Sequence, residues 1–212
     1  FDINALPQVI QDYEMVKRGV STDLPDVPFQ MLTHLDLSTA QWTSIAKNMG
    51  WQALRINLNT LLRHGVFNDV TMVDFVAARL GDEQSIRKAK AFPYQLLMAY
   101  QAAKQEMPVV ISEALQDALE HSLVNVPHLA GKKVVVCPDV SGSMQSPATG
   151  FRKGATTSVR CIDVAGLVAA AMLRSNPETI VLPFENGVVD IRLNGRDSVM
   201  TNAKRLANIG GG

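Results

Sequence analysis

The sequence predicts an α + α/β chain, with a helical-repeat segment over residues 1–130 followed by a partial open α/β domain over 131–212. Three observations carry this. Up to about Leu129, apolar residues recur at helical spacing between short connections. From Lys133 onward, β-branched runs alternate with an alanine-rich helical stretch. Between the two textures, Asn125–Lys132 contains Pro127 and Gly131 and little periodicity, as a domain junction would.

Taken in order, Ala5–Val16 reads as a first helix, and Gly19 to Pro28 as a loop punctuated by Pro25 and Pro28. Phe29–Leu35 reads as a short apolar turn. Ser38 is a good N-cap for Thr39–Asn48, with Gly50 as its stop. Trp51–His64 carries the clearest helical signal, since Trp51, Leu54, Leu58, Leu61 and Leu62 share one face and Gly65 suits the residue past its end. Asp69 or Thr71 starts the next helix, in which Met72, Val73, Val76 and Leu80 face inward and which Gly81 ends. Gln84–Ala91 is short and basic. Pro93 and Pro108 are placed to open Tyr94–Gln105 and Val109–Leu123, because proline lacks an N–H and a first helical position has no intrahelical partner for one. In the last of these, Ile111, Leu115, Ala118 and Leu119 form the apolar face. Successive amphipathic helices with short connections suggest helical pairs as in repeat arrays, although no clean repeat period is present.

In the second part, Lys133–Cys137 reads as a strand buried on both faces, with Cys137 inert inside it. Ser158–Arg174 is a helix apolar nearly all round, whose small Ala165, Gly166, Ala169, Ala170 and Ala171 suit close approach to a sheet. Thr179–Phe184 is a second strand. Glu185-Asn186-Gly187 is a hairpin signal leading into Val188–Leu193, an edge strand in which Asp190 and Arg192 alternate with apolar residues. Asp197 or Ser198 caps a final helix to Ala207. The order β-α-β-β-α is an open α/β domain with an antiparallel edge. Three strands and two helices make a small doubly wound core, so a longer chain is expected.

Composition narrows the function. The chain is 47% hydrophobic and 19% charged, which is globular rather than disordered. Its longest uncharged apolar run, Val164 to Leu173, is far short of the roughly 20 residues that span a bilayer, and no signal peptide opens it. Membrane partners are therefore not expected. Cys137 and Cys161 belong to no zinc-type cluster and fit a reducing, cytoplasmic setting. The net charge of zero is unevenly spread: Lys47 to Lys104 holds eight basic and four acidic residues, while Gln105 to Gly131 holds four acidic and none basic. Bulk charge does not argue for nucleic acid, but a local basic stripe is compatible with it. No Ser-His-Asp or paired-carboxylate spacing is present, so no enzyme and no catalytic residue are expected. The isolated His34, His121 and His128 read as structural or surface groups, and Trp42 and Trp51 as core.

One motif carries metal chemistry. Asp139-Val140-Ser141-Gly142-Ser143 puts a carboxylate and two hydroxyls on a loop at the C-terminal end of a strand, where open α/β sheets bind ligands. Asp139, Ser141 and Ser143 are the candidate ligands of a divalent cation, with Mg²⁺ the best fit because it takes oxygen donors and keeps several waters. One carboxylate leaves the ion partly unneutralised, so it would draw an acidic group from a partner, which suits adhesion rather than bond cleavage. The plain alternative is a turn that only satisfies backbone donors.

A second set is basic. Arg55, Asn59 and Arg63 recur at four-residue spacing on one helix face with His64 beside them, and Arg87, Lys88 and Lys90 form another cluster. Such groups suit RNA phosphates. The alternative is a solvated surface, or pairing with acids such as Asp82 and Glu83.

Two stretches resemble known families. Val135-Val136-Cys137-Pro138-Asp139-Val140-Ser141-Gly142-Ser143-Met144 resembles the metal-ion-dependent adhesion site of von Willebrand factor A domains. Trp51-Gln52-Ala53-Leu54-Arg55-Ile56-Asn57-Leu58-Asn59-Thr60-Leu61, with Arg63-His64-Gly65-Val66 and Arg87-Lys88-Ala89-Lys90-Ala91-Phe92-Pro93-Tyr94, resembles the TROVE domain of the Ro autoantigen family. The two occur in that family's order and together span about Pro28 to Gly212. The resemblance implies a ring of HEAT-like helical repeats closed by a von Willebrand factor A-like domain. It also implies binding of small noncoding Y RNAs and of the single-stranded ends of misfolded RNAs, in RNA quality control without nuclease activity. An exoribonuclease, or another protein offering a carboxylate to the metal face, is the implied protein partner. The family's metal site also takes a Thr and an Asp from later loops, and Gly210-Gly211-Gly212 resembles the lead-in to that Thr. The family's ring has more helices than residues 1–123 supply, so the N-terminal part is expected to be incomplete. Pro138 departs from the pattern and removes one backbone N–H. The competing reading is a metal-dependent protein-interaction adaptor with no RNA role.

Overall fold

The computed structural model describes residues 3–103, 106–148, 150 and 159–209. Its elements are α1 (Gln8–Lys17), α2 (Thr39–Asn48), α3 (Trp51–Ile56), α4 (Leu58–Arg63), α5 (Val70–Leu80), α6 (Glu83–Lys88), α7 (Pro93–Ala102), α8 (Val109–His121), β1 (Val135–Val136), α9 (Cys161–Ser175), β2 (Ile180–Val181) and α10 (Val199–Ala207). The chain is thus mostly helical with a small parallel sheet in its second part. The predicted ends at Gln105 and Ser158 lie outside the described residues. The chain divides into two compact units, Phe1–Val76 and Ala77–Gly212, with the division inside α5.

In the first unit, α2 begins as its sequence dictates. The Ser38 hydroxyl accepts the Gln41 N–H at 3.3 Å, and the Gln41 side chain accepts the Ser38 N–H at 2.9 Å, closing a capping box. Gly50 does not stop this helix. Met49 ends it, and Gly50 stands in extended conformation as the N-cap of α3. The predicted helix Trp51–His64 is broken at Asn57 (φ −97°, ψ 10°), whose side-chain amide donates to the Ala53 carbonyl at 2.8 Å. A short polar side chain that bonds the carbonyl of the previous turn competes with regular helix, which suits the interruption. Even so, Trp51, Leu54, Leu58 and Leu61 are all buried with Trp42, Ile45 and Ala46 of α2. Gly65 is left-handed (φ 73°), and a Cβ there would meet the Asn68 amide nitrogen at 3.1 Å, so glycine is required on two counts.

In the second unit, Asp82 caps α6 by accepting the Ser85 N–H at 2.7 Å, so the helix starts at Glu83, one residue before the Gln84 of the sequence reading. Helix α6 ends in a Schellman turn: Lys90 N–H bonds the Arg87 carbonyl, Ala91 N–H bonds the Ile86 carbonyl, and Lys90 itself has φ 49°. Pro93 opens α7 and Pro108 precedes α8 as expected, and α7 packs against α8. Ile111, Leu115, Ala118 and Leu119 are buried, and a 3₁₀ turn, Ser122–Asn125, follows α8.

The sheet pairs Val135 with Ile180 and Val136 with Val181 in parallel, and its hydrogen bonds run on from Val134 to Val140. It is not buried on both faces: Val135 is 52% and Ile180 53% exposed, and Cys137 is exposed too, which corrects its placement inside a buried strand. A β-branched run fits a pleated surface whether or not a second layer covers it. The Glu185–Gly187 turn forms, with Glu185 N–H on the Gly187 carbonyl, but Val188–Leu193 makes one bridge to Phe184 and no strand. Its alternation survives, with Val189, Ile191 and Leu193 half-buried between exposed residues. At Gly166 the small-residue helix α9 comes close to another helix, while elsewhere it also contacts β2. A Cβ on Gly166 would lie 2.9 Å from the Ala203 carbonyl oxygen of α10. Ser198 caps α10, accepting the Thr201 N–H at 3.1 Å, and Glu120 of α8 accepts the Val199 N–H at 2.9 Å.

The texture change at 130/131 does not coincide with the division between units. Within the second unit, Asn176 after α9 donates to the Pro127 carbonyl at 3.0 Å and accepts the Leu129 N–H at 2.6 Å. These bonds fasten the segment between α8 and β1 to the end of α9. Among the described residues, no helix is long and apolar enough to cross a membrane.

Candidate functional site

The first candidate site is the loop after β1. Pro138 supplies its carbonyl to the Phe184 N–H, and Val140 N–H bonds the Phe184 carbonyl at 2.9 Å, so Asp139 is held at the end of the ladder. The Asp139 carboxylate accepts the Ser141 N–H at 2.9 Å, and the Ser141 and Ser143 hydroxyls lie 3.1 Å apart. Bonds from the Ser141 N–H and then its hydroxyl hold the Asp139 carboxyl below its ordinary range, against the opposing effect of burial. Beneath the loop, Met144 packs on Val140, Ile162 and Ala207.

Residues the motif did not reveal brace this loop. Arg160 Nη1 donates to Gln145 Oε1 at 2.6 Å, while its Nε and Nη2 bond the two Asp163 oxygens at 3.1 and 2.7 Å. Cys161 N–H bonds the Ser146 carbonyl. An Asp three residues after an Arg at a helix start was the available signal, but it does not name Gln145 as the third member.

The donor set can be tested against a cation. With Mg–O bonds of about 2.1 Å, neighbouring ligands of an octahedron lie about 3.0 Å apart. The 3.1 Å between the two hydroxyls matches that edge, and an ionised carboxylate stands beside them. The spacing of the two hydroxyls is thus of the size a hard divalent cation would need of two neighbouring ligands. Among the described residues no group of three or more His, Cys, Asp or Glu side chains gathers anywhere, so hydroxyls would supply most of the protein ligands. Gly210-Gly211-Gly212 lies outside the described residues.

The second candidate set is the basic residues. In the first unit Arg55 and Arg63 fall on separate helices, α3 and α4, on either side of Asn57. Arg55 is half-buried, donates from Nε and Nη2 to Gln52 Oε1 at 3.2 and 3.0 Å, and lies 5.9 Å from the Trp51 ring centre. Arg63 is exposed beyond the Asn57 break, and Asn59 is half-buried. His64 stacks on Trp42, with ring centres 4.3 Å apart and planes at 17°. Burial, then the charge of Arg63, pushes its pKa down, with Asp36 opposing. In the second unit, Arg87, Lys88 and Lys90 are exposed, and none forms an ion pair among the described residues. The acids expected to neutralise them are engaged elsewhere: Asp82 in its cap and Glu83 3.6 Å from His121 Nε2.

Of the other histidines, His34 Nε2 lies 3.0 Å from the Tyr13 hydroxyl, and His128 Nδ1 2.8 Å from the Ser175 carbonyl. Trp42 and Trp51 are core, as read.

Comparison with known proteins identifies the family. The TROVE domain matches residues 25–134, just over half of the chain. The chain belongs to the TROVE family. The crystal structure of the Deinococcus radiodurans RO (RSR) protein is similar in fold, with a TM-score of 0.70 and 21% sequence identity over 92% of this chain. The match covers 40% of that protein, so this TROVE chain spans well under half of its length. No curated protein sequence matches the chain.

Proposed function

We propose that this chain is an RNA-binding scaffold of the Ro type, which takes small noncoding Y-like RNA and the single-stranded ends of misfolded RNA in cytoplasmic RNA quality control. The observation that carries the reading is the TROVE match over residues 25–134, supported by the fold shared with the Deinococcus protein. The unpaired Arg87, Lys88 and Lys90 supply the charge such a role needs. The scaffold has no catalytic residue; its work is to bind and present. Asp139, Ser141 and Ser143 would hold Mg²⁺, and the ion, short of negative ligands, would take a carboxylate from a protein partner such as an exoribonuclease.

The test is binding of a structured RNA with a single-stranded 3′ tail at about 50 and 200 mM salt. Tight binding that falls steeply with salt and needs the tail is expected. Absence of binding at the lower salt would leave the metal-dependent protein adaptor as the better account of the Asp139 loop.

A further inference from the structure

Next to the basic turn lies an apolar groove with no role in the site described above. Its walls include Phe92, Pro93 and Tyr94 at the start of α7, Val126 after the 3₁₀ turn, and Val168 and Met172 of α9. It encloses about 120 Å³. A cavity of about 150 Å³ holds a benzene ring, so the groove is on the scale of one flat ring. Phe92 is 42% and Tyr94 45% exposed, unusual for two aromatic residues so close together in the sequence.

The groove and the basic turn are held as one piece. Asn125 donates its side-chain amide to the Ala91 carbonyl at 2.8 Å and to the Ile86 carbonyl at 3.3 Å. The residue before Ala91 is Lys90, and the residue after Asn125 is the groove wall Val126. The opposite wall is fixed by Asn176, which ties Pro127 to the end of α9. Lys90 sits in left-handed conformation, where glycine is favoured, so a long side chain is carried at a position that its Cβ makes costly.

We infer that the groove and the turn form one site for single-stranded RNA, in which Phe92 and Tyr94 stack a base while Arg87, Lys88 and Lys90 take the phosphates of neighbouring nucleotides. This rests on the RNA-binding reading above and adds where the strand lies and by what chemistry. Charge complementarity selects the occupant: three exposed, unpaired cations stand within five residues of Phe92 at the lip of an apolar slot, and a nucleotide strand presents flat rings and anions in alternation. The lining is apolar, so it cannot read base edges, and binding is tolerant of sequence. Duplex RNA keeps its bases inside and cannot enter.

The experiment uses the 212-residue chain and a labelled single-stranded RNA of about ten nucleotides. Phe92→Leu with Tyr94→Leu keeps the groove apolar but removes the ring faces. It should weaken binding at least about fivefold and leave the salt dependence unchanged. Arg87→Gln, Lys88→Gln and Lys90→Gly together should reduce the slope of log affinity against log salt by about 2, from about 0.7 per phosphate contact. Duplex RNA should fail to compete. Wild-type affinity in the aromatic variant would overturn the inference while leaving RNA binding intact, and would mark the groove as a protein-facing surface. Failure of the unaltered chain to bind RNA at about 50 mM salt would overturn the RNA reading, and this inference with it. Photo-crosslinking of thiouridine RNA to the unaltered chain gives a second readout independent of variant folding. Adducts are expected at Phe92 or Tyr94, and adducts confined elsewhere would overturn the inference.

Discussion

Gly166→Ala should destabilise the second unit, although the same change in an open helix is stabilising. The new Cβ would lie 2.9 Å from the Ala203 carbonyl oxygen and 3.2 Å from the Leu206 Cβ. The first of these atoms belongs to the backbone of α10 and cannot swing aside as the tip of a flexible side chain can. Restoring ordinary contact requires α10 to withdraw by about half an ångström, and an opening of that size forfeits about a quarter of each dispersion contact across the seam. Val199, Ala203, Leu206 and Ala207 are buried along α10, so the loss is shared by many atoms. Overpacking costs about 1–3 kcal/mol. Alanine recovers about 1 kcal/mol over glycine in helix propensity. The difference is a net loss of up to about 2 kcal/mol, or up to about 8 °C in melting temperature for a chain of this size. Thermal and urea unfolding by far-UV circular dichroism measures it, with amide exchange on α10 isolating the second unit. Val168→Ala, on the exposed side of α9, is the control and should change stability by less than about 0.5 kcal/mol. A higher melting temperature for Gly166→Ala would refute the packing argument, because it would mean that only propensity is felt.

Three further outcomes are expected. Ser38→Ala removes the cap of α2 and should cost about 1 kcal/mol, read as a lower urea midpoint at unchanged slope; an unchanged midpoint would show that the capping box contributes nothing. His64 has a folded pKa below its ordinary 6.5, so below that pH the unfolded chain binds more protons. Its contribution to stability is complete above about pH 6.5 and is lost as the pH falls through the folded value; a pH series of melts should show a shallower dependence in His64→Gln, and an identical dependence would sink the assignment. Asp139→Ala should abolish any rise in melting temperature on adding Mg²⁺, and an equal rise in wild type and variant would exclude Asp139 as a ligand.

How far the sequence led depended on how far each interaction reaches along the chain. Ser38, Gly65, Pro93 and Ser198 were legible because a cap or a left-handed stop is settled within three residues. The Asn57 break was not, because the hydrophobic face of Trp51–Leu61 continues across it and the Asn57 amide shares the Ala53 carbonyl with its own backbone N–H, a detail the face does not signal. The Trp42–His64 stack joins two helices, and neither residue announces the other. The exposure of Val135 and Cys137 follows from which layer covers the sheet, a property of neighbours rather than of the strand's own residues. At the candidate metal loop the three donors were legible as a motif, while the Arg160–Gln145 brace spans a stretch with no pattern of its own.

The alanine-rich character of α9 has the same kind of explanation. Its first turn carries Arg160 and Asp163, which brace the Asp139 loop from the side, and Ile162, which supports it from below. Its middle offers Gly166 to α10, and Val168 and Met172 to the apolar groove. Just past its end, Asn176 binds the Pro127 and Leu129 backbone. A helix with partners on so many sides needs small residues wherever another backbone comes close, which is why it reads as apolar nearly all round. The same geometry predicts which of its positions tolerate change. Substitutions at the outward Val168 should act on the groove alone, whereas those at Gly166 or Ile162 should reach the Asp139 loop through Ala207.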